Sequence, residues 1–222
     1  VYGADDPALT VAYAGFVNGE SATVLGGTLV LSRAPGENVG NYLITPGGLT
    51  SANYNLTFNT GTFNITKAVL TVAATARTKP YGAGDPTLTF TVGGLQFTDT
   101  QATVLTGALT RAAGETVAGS PYAITQGNLL PNGNYTIDFT GSTLTISPVP
   151  LSITANAETK VYGTADPTFT VTYAGFTNSE TSAVLGGTLA FSRAPGENVG
   201  SYLITPSGET SGNYTITYST AN

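Results

Sequence analysis

Two lysines are each followed along the chain by a glutamate and an asparagine, the residue types of an intramolecular isopeptide bond. In that reaction a neutral lysine amine attacks the asparagine amide, and the glutamate transfers protons. The reaction requires a buried lysine whose neutral form is favoured, and a sequence does not show burial. The cross-link is therefore a hypothesis, which predicts the loss of one ammonia per repeat. The two sets are Lys79, Glu115 and Asn134, and Lys160, Glu197 and Asn213.

Paired acids are the other chemistry that this composition allows. A glycoside hydrolase needs two carboxylates that face one cleft, about 5 to 10 Å apart. Asp99, Glu115 and Asp138 could supply such a pair, but nothing in their spacing brings them together. Similar copies of one unit also fit an enzyme poorly, because an enzyme more often carries one elaborated site on one domain. We therefore expect a protein that is not an enzyme.

Three aspartates before prolines raise the question of calcium. Calcium takes six to eight oxygen ligands, usually with several carboxylates in one short loop. Asp6, Asp85 and Asp166 each lie in a loop without such a run of acids. An aspartate that bonds its own downstream backbone before a proline explains them more simply. We expect no cofactor, with calcium at these aspartates as the alternative.

Composition excludes further classes of function. The 222 residues include no cysteine, histidine, tryptophan or methionine, which excludes the usual catalytic triads, zinc sites of N/S type and disulfides. Charged residues make up 9% of the chain, against roughly 25% in ordinary soluble domains. The net charge of -6 argues against nucleic acid as a partner, and no apolar stretch is long enough to span a membrane. This composition is typical of an all-β extracellular protein.

Three landmarks recur with a period of roughly 80 residues, the length of a small domain. They are the string Tyr-Gly-x-x-Asp-Pro, an arginine four residues before a glutamate, and an Asn-Tyr pair. Their positions are Tyr2, Gly3, Asp6, Pro7, Arg33, Glu37, Asn53 and Tyr54; Tyr81, Gly82, Asp85, Pro86, Arg111, Glu115, Asn134 and Tyr135; and Tyr162, Gly163, Asp166, Pro167, Arg193, Glu197, Asn213 and Tyr214.

The landmarks divide the chain into three repeats. Repeat 1 covers residues 1–67, repeat 2 residues 68–147 and repeat 3 residues 148–222. Repeat 1 is expected to lack its opening strand and repeat 3 its closing strand. Residues 147–150 (Ser-Pro-Val-Pro) predict a linker, and each repeat is expected to enclose its own hydrophobic core. A boundary at each Tyr-Gly is the alternative division.

Alternating apolar and polar residues indicate half-buried strands, including an opening strand over 68–78 and a closing strand over 141–147. Residues 98–105 and 177–185 break this alternation. Each begins with Thr-x-x-Gln or Thr-x-x-Glu, which predicts a short helix or 3₁₀ turn capped by that threonine. The order of elements predicts a mostly β (α+β) fold of tandem small β-grasp-like modules, each with a short helix. Seven-stranded β-sandwich modules are the alternative.

The repeated strings resemble a known family. The Tyr-Gly-x-x-Asp-Pro strings after Lys79 and Lys160, the Arg-Ala-x-Gly-Glu turns and the Asn-Tyr pairs resemble the MBG domain of the YGX type over essentially the whole chain. The resemblance implies tandem β-grasp-like modules of large bacterial surface and adhesin-like proteins. It implies location and architecture more than a reaction. Repeat 2 departs from the pattern between Arg111 and Tyr122, where the spacing is longer than between Arg33 and Tyr42.

Recurring tyrosines and arginines have simple structural interpretations. A tyrosine at the same strand end in every repeat is most simply a core aromatic whose hydroxyl caps a turn, and a sugar-stacking platform is the alternative. Each Arg-Glu pair predicts an ion pair across a hairpin tip, worth at most about 1 kcal/mol if exposed. A polar clamp between neighbouring repeats is the alternative. The remaining shared tyrosines are Tyr42, Tyr122 and Tyr202.

These observations predict a stalk or spacer segment of a bacterial cell-surface or secreted protein, built of tandem repeats. Its expected partners are the neighbouring repeats of the same chain. An adhesive module that binds a glycan or a host protein through exposed loops is one alternative, for which residues 17–23 and 177–183 differ most between repeats 1 and 3. A second is a subunit that associates head to tail through open strand edges.

Overall fold

Short β-strands dominate the computed structural model, which describes all 222 residues. This confirms the prediction of a mostly β protein. The strands are β1 (Gly26–Arg33), β2 (Gly40–Thr50), β3 (Gly61–Ile65), β4 (Ala68–Ala74), β5 (Arg77–Pro80), β6 (Phe90–Gly93), β7 (Leu105–Thr106), β8 (Thr110–Arg111), β9 (Tyr122–Thr125), β10 (Leu130–Pro131), β11 (Tyr135–Thr140), β12 (Ser142–Ser147), β13 (Val149–Ala155), β14 (Val171–Ala174), β15 (Gly186–Arg193), β16 (Ile204–Thr210) and β17 (Tyr214–Ser219).

Each repeat has one short helical segment, as the break in alternation predicts. Repeat 2 has the helix α1 (Gln101–Val104), and repeats 1 and 3 have 3₁₀ turns at Ala22–Val24 and Ser182–Val184. The predicted starts at the threonines 98 and 177 are wrong, because the capping residues are Thr100 and Thr181. The capping box of α1 is made by threonines 100 and 103: the N–H of the first donates to Oγ1 of the second at 3.0 Å.

The first of two compact units comprises Val1–Ala73, Thr91–Ala108 and Asn128–Thr140. One of its sheets has the order β1-β2-β3, with antiparallel neighbours. A second has the order β11-β4-β6, in which β4 and β11 pair in parallel. The strands β7 and β10 form a separate antiparallel pair. Strands from repeats 1 and 2 therefore share this unit.

The second unit comprises Ala74–Phe90, Leu109–Gly127 and Gly141–Asn222. Its four-stranded sheet has the order β5-β12-β9-β8 and belongs to repeat 2. Repeat 3 adds a mixed sheet, β14-β13-β17, and the hairpin β15-β16. In the mixed sheet β13 pairs antiparallel with β14 and parallel with β17. This is the arrangement that β6, β4 and β11 have in repeat 2.

The prediction that each repeat encloses its own core is wrong for repeats 2 and 3. One cluster of buried side chains combines both repeats, with half-buried apolar residues packed around it. Burial of such side chains stabilises a fold by about 1.5 to 3 kcal/mol each, so the two repeats cannot separate without exposing part of this core. The cluster consists of Tyr81, Tyr122 and Ile146 from repeat 2, and Leu151, Ile153 and Tyr214 from repeat 3.

The predicted linker at residues 147–150 is also wrong. Strand β12 ends at Ser147 and β13 begins at Val149, so one proline separates the two strands. Pro150 pairs with Thr215 at the start of β13, a strand position that tolerates the missing N–H. The prolines mark a change from one sheet to another, and the shared core holds the two sheets together.

Candidate functional site

The tyrosine of each Tyr-Gly string is the centre of a joint between successive repeats. Tyr81 of repeat 2 is only 8% exposed. Its hydroxyl donates to Oε1 of Glu180 in repeat 3 at 2.6 Å, and the hydroxyl of Tyr214 donates to the other oxygen of the same carboxylate at 2.5 Å. One acid of repeat 3 therefore binds a tyrosine of its own repeat and a tyrosine of the preceding one.

Aromatic rings pack around this carboxylate. The rings of Tyr81 and Tyr214 meet edge to face, with centroids 5.5 Å apart. Phe176 contacts Tyr214 in the same manner at 5.4 Å. Edge-to-face pairs of this kind are worth about 0.5 to 1.5 kcal/mol beyond their area burial. The joint thus combines apolar packing with two charge-assisted hydrogen bonds.

The first compact unit contains the same joint between repeats 1 and 2. Tyr2 donates to Oδ2 of Asp99 at 3.0 Å, and Tyr135 donates to the same oxygen at 2.6 Å. The rings of Tyr2 and Tyr135 meet edge to face at 5.2 Å, and Phe97 contacts Tyr2 at 5.2 Å. An aspartate replaces the glutamate, yet both tyrosine bonds persist.

The asparagine before the third shared tyrosine adds a second contact to each joint. Oδ1 of Asn134 accepts the N–H of Val39 at 3.0 Å, and its amide nitrogen donates to Asn38 at 2.9 Å. Oδ1 of Asn213 accepts the N–H of Val117 at 3.0 Å. In both joints the asparagine therefore binds the hairpin loop of the preceding repeat.

The glycine after Tyr81 allows the backbone of repeat 2 to approach repeat 3 closely. Gly82 has φ 78°, which disfavours other residues. A Cβ placed there would lie 2.5 Å from Oγ1 of Thr177 in repeat 3. Gly163, in the corresponding string of repeat 3, has φ 82° and nothing within 4 Å of such a Cβ.

Corresponding residues at two other places are more exposed than those in the joints. In repeat 3, Tyr162 is 69% exposed and Val199, which corresponds to Val39 and Val117, is 92% exposed. The prediction of a core tyrosine therefore fails at Tyr162. In repeat 1, Tyr54 still donates to Glu20 and meets Phe16 edge to face, but it is half-buried where Tyr135 and Tyr214 are buried.

A ring of four charges joins the other shared residues of repeat 2. Nζ of Lys79 lies 2.6 Å from Asp85 and 2.5 Å from Glu115. Nε of Arg111 lies 2.6 Å from the second oxygen of Asp85, and its Nη2 contacts Glu115. Arg111 also donates to the carbonyls of Ala112 and Gly114. The predicted Arg-Glu pair across the hairpin tip is present and is half of this charged ring.

The charged ring holds its members in their ionised forms. Burial alone lowers the pKa of Lys79, whose side chain is 4% exposed, but the hydrogen bonds to Asp85 and Glu115 outweigh this and raise it. Hydrogen bonds from Arg111 and then Lys79 lower the pKa of Asp85 to about 2. The arrangement suits structure rather than proton transfer, which needs a pKa near the working pH.

Repeats 1 and 3 vary the same ring. In repeat 3, Lys160 and Arg193 both bind Asp166 and Glu197, at 2.6 to 2.8 Å. In repeat 1 the arginine pairs with the aspartate and the glutamate in the same way. The repeat 1 distances are 2.6 Å from Arg33 to Asp6 and 2.7 Å from Arg33 to Glu37.

The second shared tyrosine supports each arginine. The guanidinium carbons of Arg33 and Arg193 lie 5.0 Å from the ring centroids of Tyr42 and Tyr202, and that of Arg111 lies 5.6 Å from Tyr122. The Tyr42 and Tyr202 hydroxyls donate to the carbonyls of Asn38 and Asn198, and the Tyr122 hydroxyl donates to that of Thr116. These tyrosines cap the hairpin loop, as their position predicts.

The residues that could form an isopeptide bond have other partners. Lys160 donates to Thr164, Asp166 and Glu197, while Asn213 binds the N–H of Val117. The hydrogen bonds of this lysine and this asparagine are therefore made to other residues and not to each other. Asn134 binds Asn38 and Val39, and Lys79 binds Asp85 and Glu115 in the charged ring.

The three acids considered for hydrolysis each have a different environment. Asp99 accepts from two tyrosines and Glu115 belongs to the charged ring, while Asp138 is exposed on β11. The aspartates that were candidate calcium ligands, Asp6, Asp85 and Asp166, each pair with an arginine.

Sequence reasoning missed the acid of the joint. Neither the helix-capping pattern around Glu180 nor the search for paired acids around Asp99 predicts that these two residues bind tyrosines. A signal was available: Glu20, Asp99 and Glu180 each lie five residues after a glycine that ends an apolar-polar alternation. The segment 177–183, which differs between repeats 1 and 3 and which the adhesive alternative assigns to partner binding, lies in repeat 3 at the joint with repeat 2.

The fold and these joints define a tandem-repeat protein of small β modules. The model of one family, described as MBG domain (YGX type), matches the chain three times, at residues 1–64, 70–145 and 151–222. The chain belongs to this family. No curated protein and no solved structure matches the chain significantly. No helix of the structure has the length and apolar character that a membrane crossing requires.

Proposed function

We propose that this chain is a non-catalytic stalk or spacer segment of a bacterial cell-surface or secreted adhesin-like protein. One observation carries the proposal: Tyr81 of repeat 2 is buried against Glu180 and Tyr214 of repeat 3, and Tyr2 has the same contacts in repeat 2. A stalk requires that each repeat fix the position of the next. Joints of this kind do so because bending them would expose apolar rings and unpair a carboxylate.

Family membership supports the extracellular part of the proposal. The resemblance to MBG domains of the YGX type implies tandem modules of bacterial surface proteins. Three such domains cover the chain. A chain without cysteine has no thiol to oxidise outside the cell. Low charge supports the mechanical part, since short polar side chains lose less entropy than long charged ones when neighbouring surfaces pack.

A β-grasp-like module is part of the same proposal. Its support is the mixed sheet in which the opening strand lies between the second and the last strand, and pairs in parallel with the last. This order is found in repeat 3 as β14-β13-β17. In repeat 2 the opening strand β4 likewise lies between β6 and β11 and pairs in parallel with β11, although β5 precedes β6 and β12 follows β11.

Small-angle scattering of the whole chain tests the stalk. A compact chain of this length would have a radius of gyration of about 17 Å. A stalk predicts a clearly larger value and a maximum dimension near that of three domains in series. A radius at the compact value would contradict the proposal.

Two alternatives have specific support. An adhesive role would use exposed groups such as Tyr162 and Val199, and a glycan-array screen of the chain tests it. Head-to-tail association would use an edge strand such as β16, which pairs only with β15 in its sheet. Light scattering over a range of concentrations tests this alternative, since a constant monomer mass excludes it.

A further inference from the structure

The turn between β10 and β11 contains the pair Asn132-Gly133, one of two Asn-Gly pairs in the chain. Both residues are exposed. The side-chain oxygen of Asn132 accepts the N–H of Asn134 at 3.0 Å, while the N–H of Asn132 itself donates to the carbonyl of Val104 at 2.8 Å. This Asx turn holds the side-chain amide of Asn132 beside the peptide nitrogen of Gly133, which lies between the two bonded groups.

The other two repeats form the same turn without this pair. In repeat 3 a serine replaces the asparagine, and the hydroxyl of Ser211 accepts the N–H of Asn213 at 3.1 Å. In repeat 1 the corresponding residues are Ser51 and Ala52, and the serine again accepts the N–H two residues later. Gly133 does not have a left-handed φ, and a Cβ placed on it would have nothing within 4 Å. The turn therefore requires neither the amide nor the glycine that repeat 2 combines.

An asparagine amide followed by a glycine can react with the glycine nitrogen. The peptide nitrogen of Gly133 loses its proton to hydroxide and attacks Cγ of Asn132, and the side-chain amide leaves as ammonia. Water then opens the cyclic succinimide to aspartate or to isoaspartate. The glycine has no Cβ that would hinder its nitrogen. The N–H of Asn134 already donates to the oxygen on which negative charge develops during the attack.

We propose that Asn132 is a site of spontaneous deamidation that the fold promotes, with water as the only co-reactant. The turn supplies the proximity of amide and nitrogen, and the N–H of Asn134 stabilises the developing oxyanion. The other pair, Asn18-Gly19, lacks both aids. Its two residues have left-handed φ values of 56° and 75°, and no hydrogen bond holds the side chain of Asn18.

Deamidation here weakens the joint between repeats 1 and 2. Isoaspartate carries the chain through its side-chain carbon, so it lengthens the backbone just before Asn134. The side chain of Asn134 binds Asn38 and Val39 of repeat 1, and its carbonyl accepts the N–H of Ala68 at 3.0 Å. These contacts depend on the position of one short turn. The joint between repeats 2 and 3 has Ser211 at the corresponding place and cannot react in this way.

Peptide mapping by mass spectrometry tests the site after incubation of the folded 222-residue chain at mildly alkaline pH. Deamidation is expected at Asn132 before Asn18, with aspartate and isoaspartate as products. In urea that unfolds the chain the two asparagines should react at similar rates, because the turn is lost. Reaction of Asn18 at an equal or higher rate in the folded chain would overturn the proposal, as would a preference for Asn132 that persists in urea.

Two variants link the reaction to the joint. Gly133→Ala should slow deamidation at Asn132 by about tenfold, because the new Cβ hinders the attacking nitrogen. Asn132→Ser keeps the acceptor of the turn and removes the reacting amide. Thermal unfolding of freshly prepared chains should be the same for both variants and the natural sequence, and only the natural sequence should lose stability on incubation. An equal loss in all three chains would contradict the effect on the joint. The stalk role is tested by scattering and does not depend on these results.

Discussion

The hydroxyl of Tyr81 donates to the carboxylate of Glu180, 99 residues later in the chain and in the next repeat. Together with the buried cluster around it, this bond makes repeats 2 and 3 one cooperative structure. Substitutions at the joint should therefore affect stability in a way that the same substitutions at the exposed Tyr162 do not.

Tyr81→Ala should lower the free energy of unfolding by about 3 to 5 kcal/mol, the range for truncating a large buried aromatic side chain. Tyr162→Ala is the matched control. Because Tyr162 is 69% exposed, its loss should change stability by about 0.5 kcal/mol or less. Urea unfolding followed by circular dichroism measures both, and similar losses for the two variants would contradict the joint.

Gly82→Ala should cost more stability than Gly163→Ala. Both glycines have positive φ, so the backbone strain of an alanine is the same in the two variants. Only at Gly82 does the new Cβ also meet Thr177 of repeat 3. The difference in thermal unfolding midpoint between the two variants isolates the close approach of the repeats, and no difference would show that the approach is loose.

The sequence predicts part of the charged ring and none of the joint. Arg111 and Glu115 are four residues apart across one hairpin tip, so their spacing alone predicts the pair. Lys79 joins the ring from β5, 36 residues before Glu115, and no local pattern predicts that distance. The Tyr81 joint requires sheets of two repeats to pack on each other, and a single proline separates their strands β12 and β13. The Ser-Pro-Val-Pro string predicts a linker because it is rich in proline. Its composition does not reveal that a strand lies on either side of it.

Glu180→Gln should lower the pKa of Tyr81. The hydrogen bond to Glu180 is the largest cause of the raised pKa of this tyrosine, followed by burial. Ultraviolet absorbance of the phenolate during alkaline titration measures the change. Asp138→Asn, on an exposed position of β11, is the control and should leave the tyrosine titration unchanged.

Alkaline pH should loosen the joint in the first unit. Burial, and then the bond to Asp99, raise the pKa of Tyr135 to about 12. A tyrosine in an unfolded chain titrates near pH 10. The stabilisation is therefore complete below about pH 10 and is lost as the pH rises through about 12. Unfolding free energies measured across this interval should fall, and a flat profile would contradict the burial of this hydroxyl.

The charged ring predicts opposite behaviour in acid. The pKa of Asp85 is lowered to about 2, below the value of about 3.9 for an unfolded chain. Its stabilisation is therefore present above about pH 4 and is lost as the pH falls towards 2. Because the carboxylate is 43% exposed, solvent screening limits the loss to about 1 kcal/mol.

Asp85→Asn separates the ring from other acid effects, with Asp166→Asn as its matched variant in repeat 3. The asparagine at 85 leaves a lysine whose side chain is 4% exposed with a single carboxylate partner, whereas Lys160 is 20% exposed and gains more from water. We expect a loss of about 1 to 3 kcal/mol for the first variant and a smaller loss for the second. The first variant should also lose the Asp85 part of the dependence on acid pH. Equal losses at neutral pH would mean that burial of Lys79 adds nothing to the strength of the ring.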